Sequence, residues 1–210
     1  MPEYVKFPLV LLCVTVASAV VLSSIYNVAA PRIEQRKLQI EKAAEKVAFP
    51  GAEKTAERTV PDPENPSRRI SYKEVFSGGK VVGYLIKGAA PGYSSTIEVL
   101  VGVNKDFVIQ GVKILFEQET PGLGTRIEEV PVEITWLGIL SGRKTRPSEE
   151  KEPWFPAQYR GLRLEEVRLR SEGGKVDAIT GATVSSRAVT KAVRNALERL
   201  KRALSARKGL

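Results

Sequence analysis

From Phe7 to Pro31 no charged side chain interrupts the sequence FPLVLLCVTVASAVVLSSIYNVAAP. About 20 apolar residues, each advancing about 1.5 Å along a helix, cross the hydrocarbon core of a bilayer. The run therefore predicts one membrane-spanning helix, with Pro8 in its first turn, where a missing N–H costs little. A cleaved signal peptide fits less well. The apolar stretch is long, the residues before it offer only Glu3 and Lys6, and a cut after Ala30 would set Pro31 against the scissile bond. A lipoprotein site at Cys13 fails because Leu12 stands where a small residue is needed. Residues 1–31 are read as an uncleaved anchor.

In residues 32–68 the pattern changes twice. Ile33, Ile40, Ala43, Ala44 and Val47 recur at helical spacing, predicting a juxtamembrane helix closed by Pro50 and Gly51. TVPDPENPSRR, with three prolines, reads as a linker. Strand patterns then dominate residues 69–210, expected to form one domain. ISYKEVF and KVVGYLIKG flank the turn Ser77-Gly78-Gly79; STIEVLVGV and FVIQGVKILF flank Asn104-Lys105-Asp106. Each pair predicts an antiparallel hairpin. Ile97, Val99, Val101 and Val103 alternate onto one face, as do Val112, Ile114 and Phe116. A third hairpin is expected from EEVRLR and KVDAIT. Val189, Val193, Ala196, Leu197, Leu200 and Leu204 mark the apolar stripe of a final helix. Strands grouped together with a helix at the end predict an α+β fold: a single N-terminal transmembrane helix, then antiparallel strands with a C-terminal helix. The polar stretch 141–153, flanked by Trp136 and Trp154, reads as an exposed excursion.

Composition narrows the chemistry. The 210 residues include no histidine and one cysteine, so imidazole bases, intrachain disulfides and cysteine-rich metal sites are excluded. Redox chemistry would need an organic cofactor. The formal charge of +9 is uneven: eight basic residues face only Glu198 between Arg187 and Leu210. Without the basic-aromatic alternation that stacks bases, this reads as a solvated helix face or a surface near anionic lipid, and no nucleic-acid partner is expected. Arg32, Arg36 and Lys37 follow the apolar run, which argues for the tail staying inside. A large domain can translocate despite such charges, so the charge pattern leaves the orientation open.

Two stretches carry candidate chemistry. In DAITGATVSSRAV, the hydroxyls of Thr180, Thr183, Ser185 and Ser186 gather where the final helix begins, around Gly181 and Ala182. Unpaired N–H groups and the positive dipole end favour an anion there; alternatively Ser185 or Ser186 is only an N-cap. In EQETPGLGTRI, Pro121, Gly122 and Gly124 force a bend after a strand, with Glu119 and Thr120 at its lip and backbone bared for a planar ligand; otherwise it is an ordinary strand-exit turn. Tyr93, in PGYSSTIEVLVG, either stacks on a ring system or simply packs.

Taken in order along nearly the whole chain, the anchor, GYSSTIEVLVGV, ETPGLG and DAITGATVSSRAV resemble the FMN-binding family that includes the G subunit of the Rnf electron-transport complex and the C subunit of the sodium-pumping NADH:quinone reductase. The resemblance implies FMN covalently attached through its phosphate to Thr183 by a separate flavin transferase. Asp177, Thr180, Gly181, Ala182, Ser185 and Ser186 would surround the phosphate, and Glu119, Thr120, Pro121, Gly122, Leu123 and Gly124, with Tyr93, would lie near the flavin. Family members often carry a histidine two residues before the loop glutamate; here that place holds Glu117. The stretch 141–153 resembles an insertion. The implied protein is an electron-transfer subunit, not a complete enzyme alone, of an ion-translocating oxidoreductase exchanging electrons between ferredoxin and NAD. It would sit in the inner membrane among other membrane and iron-sulfur subunits, with its domain on the extracytoplasmic side. The alternatives are the equivalent component of the sodium-pumping quinone reductase and a membrane-anchored FMN-binding regulatory module.

Overall fold

The computed structural model describes residues 3–130 and 152–208, so Trp136 and nearly all of the 141–153 stretch lie outside the described residues. Helix α1 spans Glu3–Ala48. The separate helices expected on either side of Pro31 are one element, with Pro8 and Pro31 inside it. Thr15 donates its hydroxyl to the carbonyls of Leu11 and Leu12, and Ser24 donates to Val20, so these two hydroxyls of the apolar run are bonded within the helix. By length and composition this helix is able to cross a membrane.

The chain divides into two compact units, residues 1–42 and residues 43–210. The second is built on a five-stranded antiparallel meander: β1 (Lys54–Asp62), β2 (Asn65–Ser77), β3 (Lys80–Pro91), β4 (Thr96–Asn104) and β5 (Ile109–Phe116), adjacent in that order. Both expected hairpins form. Gly78 and Gly79, at φ 56° and 74°, make the tight turn between β2 and β3 that side chains with a Cβ resist. Asn104 Oδ1 accepts the N–H groups of Asp106 and Val108, both at 2.9 Å, closing the β4–β5 turn. The stretch expected as a linker is instead the end of β1, its turn and the start of β2. Pro61 is tolerated because β1 is the sheet's edge, where it interrupts no second ladder, while Pro63 falls in the turn and Pro66 at the start of β2, before its pairing with β3 begins at Tyr72.

Alternation assigns the two faces. Ile97, Val99, Val101 and Val103 bury toward the final helix α3 (Thr183–Lys208), whose Val189, Val193, Ala196, Leu197 and Leu200 form the opposing stripe. Each such buried leucine contributes about 1.5–3 kcal/mol. Phe116, expected on that face, is exposed. A register shift between Glu98 and Val99, opposite the end of β5, breaks the alternation there. On the other face, Val75, Leu85 and Leu100 pack with Ala44, Ala48 and Phe49.

The expected third hairpin does not form. Residues 163–180 make an irregular wrap with a 3-10 turn at Arg170–Glu172 and a single bridge between Leu169 and Val176. Its apolar residues Val167, Leu169, Val176 and Ile179 all bury into the core beside Phe155 and Tyr159 of the short helix α2 (Trp154–Ala157) and its exit. Arg170 accordingly bonds the carbonyl of Val176, and Gly173 takes the left-handed conformation that closes the turn.

Candidate functional site

Three segments meet at one end of the sheet: the β3–β4 turn, the loop after β5, and the first turn of α3. They enclose a cleft of ≈ 470 Å³ lined by Tyr93, Glu119, Thr120, Leu123, Gly124 and residues 181–185. Tyr93, Leu123 and Val184 give it an apolar, half-open mouth. No lysine or arginine lines it among the described residues.

Residues far apart in sequence are brought together here. Tyr93, Glu119, Thr120, Leu123, Gly124, Gly181, Ala182, Thr183 and Ser185 line the cleft, whereas Pro121, Gly122, Asp177, Thr180 and Ser186 do not. Asp177 lies at the surface, where Arg170 Nε meets its carboxylate at 2.6 Å. That pairing holds its carboxyl below the usual aspartate value. Val184, which no sequence signal singled out, is part of the wall.

The start of α3 differs from the expected cap. The helix begins at Thr183, so Ser185 and Ser186 stand inside its first turn rather than before it. The first backbone bond there runs from Ser186 N–H to the Ala182 carbonyl, at 2.9 Å. The N–H groups of Thr183, Val184 and Ser185 precede any helical acceptor, as at every helix start. The four hydroxyls have separate fates. Ser186 is fully buried, accepting the Ile179 N–H at 3.0 Å and donating to the Ala182 carbonyl at 2.9 Å. Ser185, also buried, donates to Glu119 Oε2 at 2.5 Å. Thr180 is exposed outside the cleft, and Thr183 is exposed within it.

Glu119 is not at the lip of the loop but buried, at 5% exposure. Its Oε1 accepts the N–H groups of Ser94 and Ser95, and its Oε2 accepts that of Tyr93, at 3.0–3.2 Å. Burial pushes its carboxyl upward, but the hydroxyl of Ser185 and the three N–H groups outweigh it and hold the group below the usual glutamate value. Gly124 belongs to this contact. A Cβ there would come within 2.5 Å of Glu119 Cβ and 2.8 Å of Ser185 Oγ. Gly122 has a different reason: it holds φ 75° in open space and donates its N–H to Thr125 Oγ1. Gly124 thus serves the packing of the protein itself, and Gly122 the turn of its loop.

The model of the FMN-binding domain matches residues 92–198, a little over half of the chain, and spans every segment of the cleft. The chain belongs to the FMN-binding domain family. Over most of its length this family member is similar to the G subunit of the ion-translocating oxidoreductase complex of Methanosarcina acetivorans, with 30% identity over 93% of this chain and 94% of the relative. It is 39% identical to the protein of the same name from Aliivibrio fischeri over 57% of this chain, a match spanning about half of that relative's length. The C subunit of the Na(+)-translocating NADH-quinone reductase from Parabacteroides distasonis shares the fold. Its TM-score is 0.52 at 14% identity, covering 83% of this chain and 96% of that one.

The cleft fits the group after which the family is named. Its volume lies in the range of small-molecule sites, its mouth is apolar and aromatic, and an anionic tail would meet a helix N-terminus bearing a free hydroxyl.

Proposed function

We propose that this family member is a membrane-anchored flavoprotein subunit of an ion-translocating oxidoreductase of the Rnf type, carrying FMN esterified to Thr183. The observation that carries the reading is the allocation of hydroxyls at the start of α3. Ser185 and Ser186 are buried and bonded, Thr180 lies outside the cleft, and Thr183 alone of the four is both exposed and in the cleft.

Bound FMN would supply one- and two-electron transfer chemistry. The protein's part is to hold it. Thr183 Oγ1 would bond to the phosphorus of the flavin donor as a P–O bond there breaks, the hydroxyl proton leaving with the departing oxygen, for a net gain of FMN less one water. The first N–H groups of α3 would face the phosphodiester anion, and Tyr93, Leu123 and Val184 offer apolar surface to the ring system. A flavin transferase makes the ester in this reading. Ferredoxin and NAD are the electron-exchange partners of the whole complex, and its other membrane and iron-sulfur subunits surround this one. We place the domain on the extracytoplasmic side of the inner membrane, with α1 as the anchor.

The deciding experiment is co-expression with a flavin transferase. The wild-type chain should fluoresce on a denaturing gel and show the mass gain of one FMN less water, and Thr183→Ala should show neither. A flavin-bearing peptide from the Thr183→Ala protein would refute the assignment and name another acceptor.

A further inference from the structure

Among the described residues three carboxylic side chains are buried, Asp62, Glu74 and Glu119. The first two meet arginines: Arg202 faces Asp62, while Arg58 and Arg207 hold Glu74. Glu119 has no such partner among the described residues. Three backbone N–H groups from the β3–β4 turn and the hydroxyl of Ser185 on α3 supply all of its side-chain bonds. A buried carboxylate without a counter-cation is costly, and this one lines a cleft read as the seat of an anionic phosphoester. Two glycines make room for it. A Cβ on Gly92 would lie 2.5 Å from Glu119 Oε1, and one on Gly124 would lie 2.5 Å from Glu119 Cβ. The two sides joined are the β3–β4 turn, which carries Tyr93, and the start of α3, which carries Thr183, both lining the cleft.

We propose that Glu119 is a positioning residue for flavin attachment: its carboxylate ties the β3–β4 turn to the first turn of α3, fixes the wall bearing Tyr93 against Thr183, and keeps the Ser185 hydroxyl from competing as acceptor. The inference rests on the cleft being the FMN site. Four donors converge on the carboxylate, so Gln in its place would turn an NH₂ toward N–H groups that need an acceptor. Asp would fall one methylene short of bridging both sides. The nearest other titratable groups on the packed elements are Tyr93 and Glu117, whose Oε2 accepts the N–H of Glu119 at 2.7 Å; farther along them, Arg126 pairs with Glu129, Glu128 with Lys113 and Arg187 with Glu172.

The test uses the full chain in detergent, with and without co-expressed flavin transferase. Without transferase, hydrogen–deuterium exchange is followed in peptides covering 92–97 and, as an internal reference, 97–104. In Glu119→Gln the protection of 93–95 should fall by about tenfold or more, the loss expected of charge-assisted bonds, while the β4 peptide is unchanged. In the wild type, acidification through the Glu119 carboxyl titration should remove the same protection, and Glu117→Gln should leave that pH profile in place. Ser185→Ala should loosen the turn in the same peptide if Glu119→Gln does not fold. With transferase, flavin labelling of Thr183 should fall in Glu119→Gln, and any residual label in Thr183→Ala/Glu119→Gln should map to Ser185. Unaltered protection of 93–95 in the variants, or no acid-dependent step in the wild type, overturns the proposal. So does full labelling of Thr183 in Glu119→Gln. An unlabelled wild type would instead overturn the flavin reading, and the exchange results would stand apart from it.

Discussion

A methyl group added at Gly88 should destabilise the domain by about 2 kcal/mol, because α3 crosses β3 at that residue with no space between them. A Cβ on Gly88 would stand 2.2 Å from the Ala192 carbonyl oxygen and 2.8 Å from Ala196 Cβ. On either side of the crossing, Asn195 Nδ2 donates to the Ala89 carbonyl and Arg199 Nη1 to that of Lys87, so the helix cannot slide away without breaking bonds. Gly88 has no positive φ, so alanine brings no backbone strain, and its lower unfolded-state entropy returns about 0.4–1 kcal/mol. The net loss is therefore set by how far α3 must lift. For a domain of this size 2 kcal/mol corresponds to roughly 4–8 °C in melting temperature, measurable by circular dichroism in detergent. Ala196→Gly provides the internal check. It removes the 2.8 Å contact but not the carbonyl, and costs about 1 kcal/mol of helix propensity itself. The double variant should melt below Gly88→Ala. A melting temperature unchanged in Gly88→Ala, or restored by Ala196→Gly, would show that the backbone of α3 does not lie on Gly88.

Two further outcomes concern charge and placement. Glu74 and Glu119 both titrate below the usual glutamate value; burial opposes this in each, and is outweighed at Glu74 by Arg207 and Arg58. A depressed folded-state pKa gives stability that is present above the unfolded value, about 4.3, and lost as pH falls through the folded one. The melting temperature should therefore drop on acidification below that range, and Arg207→Ala should lower it at neutral pH while making the acid slope shallower; a slope unchanged in Arg207→Ala would remove Glu74 from the account. An alkaline phosphatase fused after Leu210 should be active, as the extracytoplasmic placement requires. Activity only of a cytoplasmic reporter at that position would reverse the topology.

Local pattern revealed those elements that depend on local physics. The alternation from Ile97 to Val103 and the stripe from Val189 to Leu200 repeat with the period of the structure they form, and Gly78-Gly79 supplies the positive φ its turn needs. The β1–β2 hairpin was hidden because three prolines crowd its turn, and Pro61 is harmless only because β1 lies at the sheet edge. EEVRLR and KVDAIT have strand composition, yet their apolar residues are buried by wrapping over the core rather than by pairing. The motifs placed the cleft but not its wiring. The bond between Glu119 and Ser185 joins residues 66 positions apart, and no short-range spacing announces it. For the same reason Gly124 reads from the sequence as room for a ligand, when what it accommodates is Glu119.

A cleft walled by a carboxylate and free of lysine or arginine is a poor trap for a phosphorylated ligand from dilute solution. Tethering changes the requirement. A flavin fastened to the first residue of α3, as proposed, would be presented to its own cleft at an effective concentration on the order of millimolar, as for other short tethers. Contacts worth about −4 kcal/mol, the equivalent of a millimolar dissociation constant, would then keep the ring seated half of the time. One tenfold improvement would raise that to about nine-tenths. The surroundings of such a cofactor are released from the task of capture, and their residues become available for setting how readily the ring takes up charge.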